Sequence, residues 1–314
     1  MMSFPGTTLP LALGTVLYGP RLDADETAHQ LSLFTDLGGQ LIDTARVYGA
    51  WAPDGYEGYT EQLVGQWLAR DGHRDQVLVC TKGAHPMWQV WQPRVTPEVI
   101  RADLEQSLLN LRTDHVDLYL LHRDDATQPI LPMLQALEAL RREGKVLHYG
   151  CSNWTLPRMR EAAQVARANG LVGFCANQVM WSMARANPDA IGDKTLVLLD
   201  EPTRLWQQEQ GMLLMAYTSL AHGYLLRRAA GIAVSDTLAA QYDNPQNETA
   251  LALLRQAGAD PLAVSLRYIT LSGGPCLPVA AFSSDVQLTQ AMRALTDSRW
   301  DELLPQLRAI YREN

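Results

Sequence analysis

The strongest constraint on how this chain can fold is a rhythm. Eight short apolar, strand-like runs, at 11–17, 41–44, 77–81, 116–121, 147–151, 174–179, 212–217 and 276–281, alternate with segments of helical spacing. The helical segments carry start and stop signals. Asp25-Glu-Thr27 precedes the first, and Thr96 stands as an N-cap before Pro97 in another. The apolar spacing from Leu131 to Arg142 stops at Gly144, and Thr155-Leu-Pro157 repeats the cap-then-proline pattern. Two more helical runs, 285–295 and 300–311, close the chain.

Strands that alternate with helices pair in parallel through right-handed crossovers. Eight such units predict an α/β fold of the (β/α)8 TIM-barrel type. The rival, an open doubly wound sheet, calls for a glycine-rich turn after the first strand. Here that strand runs into Gly19-Pro-Arg-Leu-Asp23, with no GxGxxG. No linker or low-complexity tract divides the chain, so one barrel domain is expected over residues 1–314. The least regular stretch, about 221–247, reads as a long loop, either a lid over the barrel mouth or a solvated insertion.

With 47% apolar and 19% charged residues, the chain can build a large core and is not globally disordered. Its net charge of −8 argues against nucleic acid and anionic membrane as partners. No run approaches the length of a membrane span, and the start lacks the charge and apolar core of a secretory leader. Cys80, Cys151, Cys175 and Cys276 lie far apart with no CxxC pair. They read as small buried hydrophobes in a reducing cytoplasm, and no metal site is expected.

In barrel enzymes the working residues sit where strands end and loops begin. The second run ends in Asp43, with Tyr48 five residues on; the third ends in Lys82; the fourth ends in His122. Each alone has an ordinary explanation: a helix cap, an exposed lysine, a satisfied core histidine. Lys82, however, is one of only three lysines against 23 arginines, so a compact ammonium at that point calls for a close electrostatic partner. Together the four suit one chemistry. A phenol is a weak acid at neutral pH, a neighbouring ammonium lowers its pKa, and a carboxylate holds that ammonium in place. A neutral histidine orients a substrate oxygen. Tyr48 as proton donor, Lys82 as its tuner, Asp43 as the partner of Lys82 and His122 as orienter make a carbonyl-protonating site. The hydride must come from a nicotinamide, because no side chain supplies one.

The segments Leu41-Ile-Asp-Thr-Ala-Arg-Val-Tyr48-Gly, Thr81-Lys82-Gly, Val116-Asp-Leu-Tyr-Leu-Leu-His122, Tyr149-Gly-Cys-Ser-Asn153 and Ala216-Tyr-Thr-Ser-Leu220 carry a resemblance. Over about residues 10–295 the chain resembles the aldo-keto reductase superfamily. The resemblance implies a TIM barrel, NADPH- or NADH-linked carbonyl reduction, and the tetrad Asp43, Tyr48, Lys82 and His122. It implies that Ser152, Asn153 and Gln178 hold the nicotinamide carboxamide and that Tyr217 stacks on the ring. Without it, Ser152-Asn153 reads as a helix cap and Tyr217 as core. By the same resemblance Thr218, Ser219, Leu220 and Gly223 fall in the pyrophosphate loop, and Ser283, Gln287 and Gln290 lie along the adenosine.

The chain departs from the pattern in three places. Its N-terminal segment is too short for the hairpin that commonly closes the barrel bottom, and its C-terminus is expected to end in a helix without a long tail to wall the pocket. At the adenosine phosphate, where NADP-preferring members place Arg or Lys, this chain has Phe282 or Ser283, and Ala291 replaces the usual Asn. The family favours NADP(H), while this substitution leaves NAD(H) open; Arg227 or Arg228 in the long loop are alternative sources of charge.

Five of the eight tryptophans, Trp51, Trp88, Trp91, Trp154 and Trp181, fall in loops at the expected mouth. Indoles there stack on a flat or sugar-like substrate or simply pack the loops. Arg123, Asp124 and Asp125 follow His122 and serve either a hydroxylated substrate or the cap of the next helix; Glu57 and His85 carry the same ambiguity. The expected activity is reduction of a small-molecule aldehyde or ketone, or the reverse alcohol oxidation. The alternatives are a cofactor-binding regulatory or redox-sensing subunit with little turnover, and a lyase using Lys82 as a Schiff-base nucleophile.

Overall fold

Eight parallel strands close on themselves in sequence order, each hydrogen-bonded to the next and β8 to β1. They are β1 (Ala12–Gly14), β2 (Leu41–Asp43), β3 (Leu78–Gly83), β4 (Val116–Leu121), β5 (Val146–Ser152), β6 (Ala176–Met180), β7 (Leu213–Tyr217) and β8 (Cys276–Ala280). This computed structural model describes residues 10–312 except 71 and 88–90. The fold is a (β/α)8 TIM barrel, as the alternation predicts.

The helices are α1 (Ala24–Asp36), α2 (Tyr59–Leu68), α3 (His73–Gln76), α4 (Pro97–Leu111), α5 (Ile130–Arg142), α6 (Leu156–Ala168) and α7 (Glu201–Gln210). They continue with α8 (Tyr224–Ala229), α9 (Asp236–Tyr242), α10 (Pro245–Ala257), α11 (Pro261–Thr270), α12 (Asp285–Ala294) and α13 (Leu304–Arg312). Local chemistry sets their starts. The first cap is Asp23, two residues before the expected signal, because its carboxylate accepts from Asp25 and Glu26 amides while Glu26 reaches back to the Asp23 amide. Thr96 accepts from the Val99 amide and Pro97 opens α4, as predicted. Thr155 precedes α6 but makes no side-chain cap bond.

Strand pleat decides what faces the barrel interior. Leu41, Cys80, Leu118, Leu120, Ala176, Met215 and Leu277 fill it. Two residues beyond an interior position, on the same face, come Asp43, Lys82, His122, Gln178 and Tyr217. The apolar plug is thus topped by a ring of polar residues at the C-terminal rim. A larger apolar layer joins the outside of the sheet to the helices, with Phe34, Trp67, Leu104, Leu134 and Trp154 fully or almost fully buried.

The stretch 221–247 differs from the expected irregular loop. A 3-10 turn (Ala221–Gly223), α8 and α9 fold there and pack with α10, α11 and α13 around a second core. Tyr224 and Tyr242 stack at 5.5 Å inside it, and Asn247 bonds the Arg185 amide and the carbonyls of Arg185 and Tyr242. Sequence periodicity misses this because each piece is under two turns and its partners are remote. The closing helix also starts later than expected: Trp300 lies in a 3-10 turn (Ser298–Leu303) ahead of α13. Among the described residues no helix is long and apolar enough to cross a membrane.

Candidate active site

Asp43 is the last residue of β2 and Lys82 the last but one of β3, and both side chains are almost wholly shielded from solvent. Lys82 Nζ donates to Asp43 Oδ2 at 2.8 Å, to the Thr44 carbonyl at 2.8 Å and toward the Tyr48 hydroxyl at 3.3 Å. Tyr48 comes from the turn after β2. Gly49 beside it has φ +90°, a left-handed value that glycine adopts readily, and a Cβ there would meet Tyr59 Cβ at 2.8 Å. His122 directly follows β4, its ring edge-on to that of Tyr48 with centroids 5.9 Å apart. The four predicted residues therefore share one site.

Burial drives the electrostatics. It works against the Lys82 charge, but Asp43 and Tyr48 outweigh it, so the lysine pKa stands above its ordinary value. An ammonium held this firmly is a poor Schiff-base nucleophile, which weighs against the lyase alternative. Burial raises the Tyr48 pKa, and the opposing pull of Lys82 does not cancel it. This corrects the sequence expectation of a lowered value: in this site the phenol keeps its proton, as a donor must. Burial, reinforced by His85, Arg123 and Lys82, holds His122 well below its usual range, so its ring is neutral. Its Nδ1 is buried without a hydrogen-bond partner among the described residues.

The residues assigned to the nicotinamide lie beside this group. Gln178 donates from Nε2 to Asp43 Oδ1 at 2.8 Å, a bond the sequence did not suggest. Ser152 donates to the Gln178 carbonyl at 2.9 Å and accepts from Asn153 Nδ2 at 3.0 Å. Asn153, at φ +59°, accepts through Oδ1 from the Tyr217 hydroxyl at 2.7 Å and the Val197 amide at 3.1 Å. The second hydrogen of Asn153 Nδ2 has only a 3.5 Å contact to the His122 carbonyl, and Gln178 keeps an acceptor oxygen. A donor and an acceptor side by side suit a carboxamide.

After β7, Thr218, Ala221 and His222 have φ of 54°, 48° and 52°, and Gly223 follows at 78°. Three non-glycine left-handed residues in so short a span are strained, and such turns make anion-binding concavities. Ser219 fixes the loop by donating to the Val279 carbonyl at 2.9 Å; Leu220 lies between them. Across the mouth Ser284 caps α12, and Gln287 accepts from the Ser283 amide and hydroxyl at 3.0 and 3.1 Å. Gln287 and Gln290 are exposed, while Phe282 is buried in the core. Arg228 pairs with Asp243; Arg227 is exposed, its Nε 3.8 Å from where a Gly223 Cβ would sit.

The aromatic residues separate into rim and core. Trp51 is exposed and edge-on to Tyr48 at 5.9 Å, and Trp91 is exposed beside His85 at 5.6 Å. Trp181 leans on Tyr268 at 6.1 Å. Trp154 is wholly buried against Phe174, so it packs the barrel instead of lining the mouth. Trp88 lies outside the described residues. Arg123 is buried and donates to Thr195 Oγ1 and Asp193 Oδ2 at 2.8 and 3.1 Å and to the His122 carbonyl at 2.9 Å. Asp125 bonds the Thr127 amide, and Asp124 pairs with Arg158, so both are structural. Sequence reasoning missed segment 193–197, which braces Arg123 and Asn153. Only its Asp-x-Thr turn hints at it, since strand and helix periods are silent there.

The closed parallel barrel gathers a phenol, an ammonium, a carboxylate and a neutral imidazole at its rim, the set a carbonyl-protonating oxidoreductase needs. The Aldo/keto reductase family matches residues 10–310, and the chain belongs to it. It is 28% identical to the Uncharacterized oxidoreductase YrpG of Bacillus subtilis over 96% of this chain and 91% of that protein. To Protein tas of Escherichia coli it is 25% identical over 96% and 93%. The match to Aflatoxin B1 aldehyde reductase member 2 of Rattus norvegicus is 31% identical but spans 54% of this chain and 42% of that protein.

Proposed function

We propose that the chain reduces an aldehyde or ketone to the alcohol, or runs the reverse oxidation, with Tyr48 exchanging the proton. The observation that carries this is the single buried ammonium of Lys82 reaching Asp43, Thr44 and Tyr48 at once, beside a neutral His122. A bound nicotinamide dinucleotide supplies or accepts the hydride. Ser152, Asn153 and Gln178 would hold its carboxamide, Tyr217 its ring, the 218–223 loop its phosphates, and Ser283, Gln287 and Gln290 its adenosine.

His122 orients the carbonyl oxygen toward the Tyr48 hydroxyl. As the oxygen gains electron density it takes the Tyr48 proton, and the adjacent Lys82 charge stabilises the phenolate left behind. The rim aromatics Trp51 and Trp91 suit an unsaturated or flat substrate and exclude water from the reacting centre. The relative named for an aldehyde reductase fits the same chemistry. Residues 281–291 contain no Lys or Arg, so a ribose 2′-phosphate would draw its positive charge from elsewhere, and either NADPH or NADH can serve.

The test is a broad panel of aldehydes and ketones assayed with NADPH and with NADH, alongside a fluorescence titration of each dinucleotide. Turnover of at least one carbonyl class is expected. Tight dinucleotide binding with no turnover on any carbonyl would overturn the reading in favour of a sensor subunit.

A further inference from the structure

His85 stands at the mouth without a part in the proton transfer, yet the chain holds it with unusual care. Strand β3 ends at Gly83, and Ala84 then takes φ +57°, a left-handed value that a residue with a Cβ avoids. Two charged side chains enforce it. Asp103 Oδ2 accepts from the Ala84 amide at 2.8 Å, and Arg94 clamps Asp103 through two bonds of 2.8 and 2.9 Å. Arg94 also donates to the His85 carbonyl at 3.2 Å. Strain maintained by such a clamp is found where a side chain must be aimed.

The clamp sets the His85 imidazole against His122. Its ring lies edge-on to His122 with centroids 4.7 Å apart, closer than the His122–Tyr48 pair, and also meets Trp91 edge-on at 5.6 Å. Its tautomer is fixed as well. Nδ1 lies 2.7 Å from the Pro86 carbonyl, which can only accept, so the proton is on Nδ1. Burial, helped by Arg123, lowers the pKa to about 4, so the ring is neutral near pH 7. Nε2 is therefore a lone pair, with no hydrogen-bond partner among the described residues. An acceptor beside the group that orients the carbonyl oxygen calls for a donor on the substrate close to that oxygen.

We propose that His85 is a specificity residue that accepts a hydrogen bond from a hydroxyl on the carbon next to the reacting carbonyl, so that the site selects α-hydroxy aldehydes and ketones over their deoxy analogues. The proposal rests on carbonyl reduction as the function of the site. A site built to bond a hydroxyl rejects the analogue lacking it, because a deoxy substrate covers the acceptor without pairing it.

The experiment compares kcat/KM for hydroxyacetone and acetone, and for acetoin and 2-butanone, in the wild type, His85→Phe and His85→Gln. Phe keeps the ring contacts and removes the acceptor; Gln keeps an acceptor. Taking each variant's hydroxyketone-to-ketone ratio relative to wild type cancels the intrinsic reactivities. The ratio is expected to fall at least tenfold in His85→Phe and to recover partly in His85→Gln. A ratio within twofold of wild type in His85→Phe, or an equal loss on both members of each pair, overturns the proposal. Should His85→Phe not fold, His85→Leu takes its place, since it also removes the acceptor: a ratio at least tenfold below wild type supports the proposal and one within twofold overturns it. If the wild type reduces no carbonyl at all, the function itself fails and the specificity role with it, an outcome distinct from an unchanged ratio.

Discussion

At the scale of single residues, the site depends on charges taken out of water. Lys82 and Asp43 are nearly unexposed and satisfy one another. Lys82→Met would strand the Asp43 carboxylate, and buried pairs broken from one side cost about 3–5 kcal/mol. Urea unfolding should show a loss of that size together with loss of turnover. The histidines make a second prediction. His85 titrates at about 4 and His122 well below its usual range, so between the ordinary value of ~6.5 and about 4 the unfolded chain takes up protons that the folded chain refuses. The contribution of His85 to stability is full above ~6.5 and is lost as pH falls toward about 4, and that of His122 is lost in the same direction. Glu61, buried with a raised pKa, acts in the opposite sense, so the cleaner readout is a difference. His85→Phe should flatten the fall in unfolding midpoint from pH 7 to pH 5, and an unchanged fall would contradict the assignment. Identities at this scale were legible in the sequence because strand-end positions repeat: an interior apolar residue, one outward residue, then a polar one. The direction of the Tyr48 shift was not legible, since the depth of burial belongs to the assembled mouth.

At the scale of elements, β3 and its following turn carry the greatest demand. A Cβ on Gly83 would lie 1.9 Å from the Tyr119 hydroxyl and 2.9 Å from Asp103 Cβ. Gly83→Ala should therefore cost about 1–3 kcal/mol and shift the strand end that bears Lys82, read as a lower melting midpoint and a lower kcat. On the other side of the mouth, Arg227 of α8 lies beside the left-handed loop 218–223 proposed to hold the phosphates, whereas Arg228 is paired with Asp243. Arg227→Ala should weaken dinucleotide binding about tenfold, or ~1.4 kcal/mol, with little change in kcat at saturation. Eight strands and the capped helices were readable because period and cap signals are local. The helices of 221–247 were not, because Tyr224, Tyr242 and Asn247 find their partners at Arg185 and in the far helices.

For the whole molecule, the barrel holds its chemistry at one end. Apolar interior layers fill the barrel beneath the rim, so under the proposed function substrate and cofactor would meet at the open mouth. Under the proposed function, dinucleotide binding would span β5 to β8 and the start of α12 and should stabilise the chain as a unit. At a hundred times Kd the gain is ~2.7 kcal/mol, visible as a rise in melting midpoint that grows with dinucleotide concentration. The measurement closest to the central claim is the behaviour of Tyr48→Phe, which removes one hydroxyl from the Lys82 contact. It should bind dinucleotide with near wild-type affinity while kcat falls by roughly 10²–10⁴. Near-normal turnover in that variant would mean that the proton comes from another group.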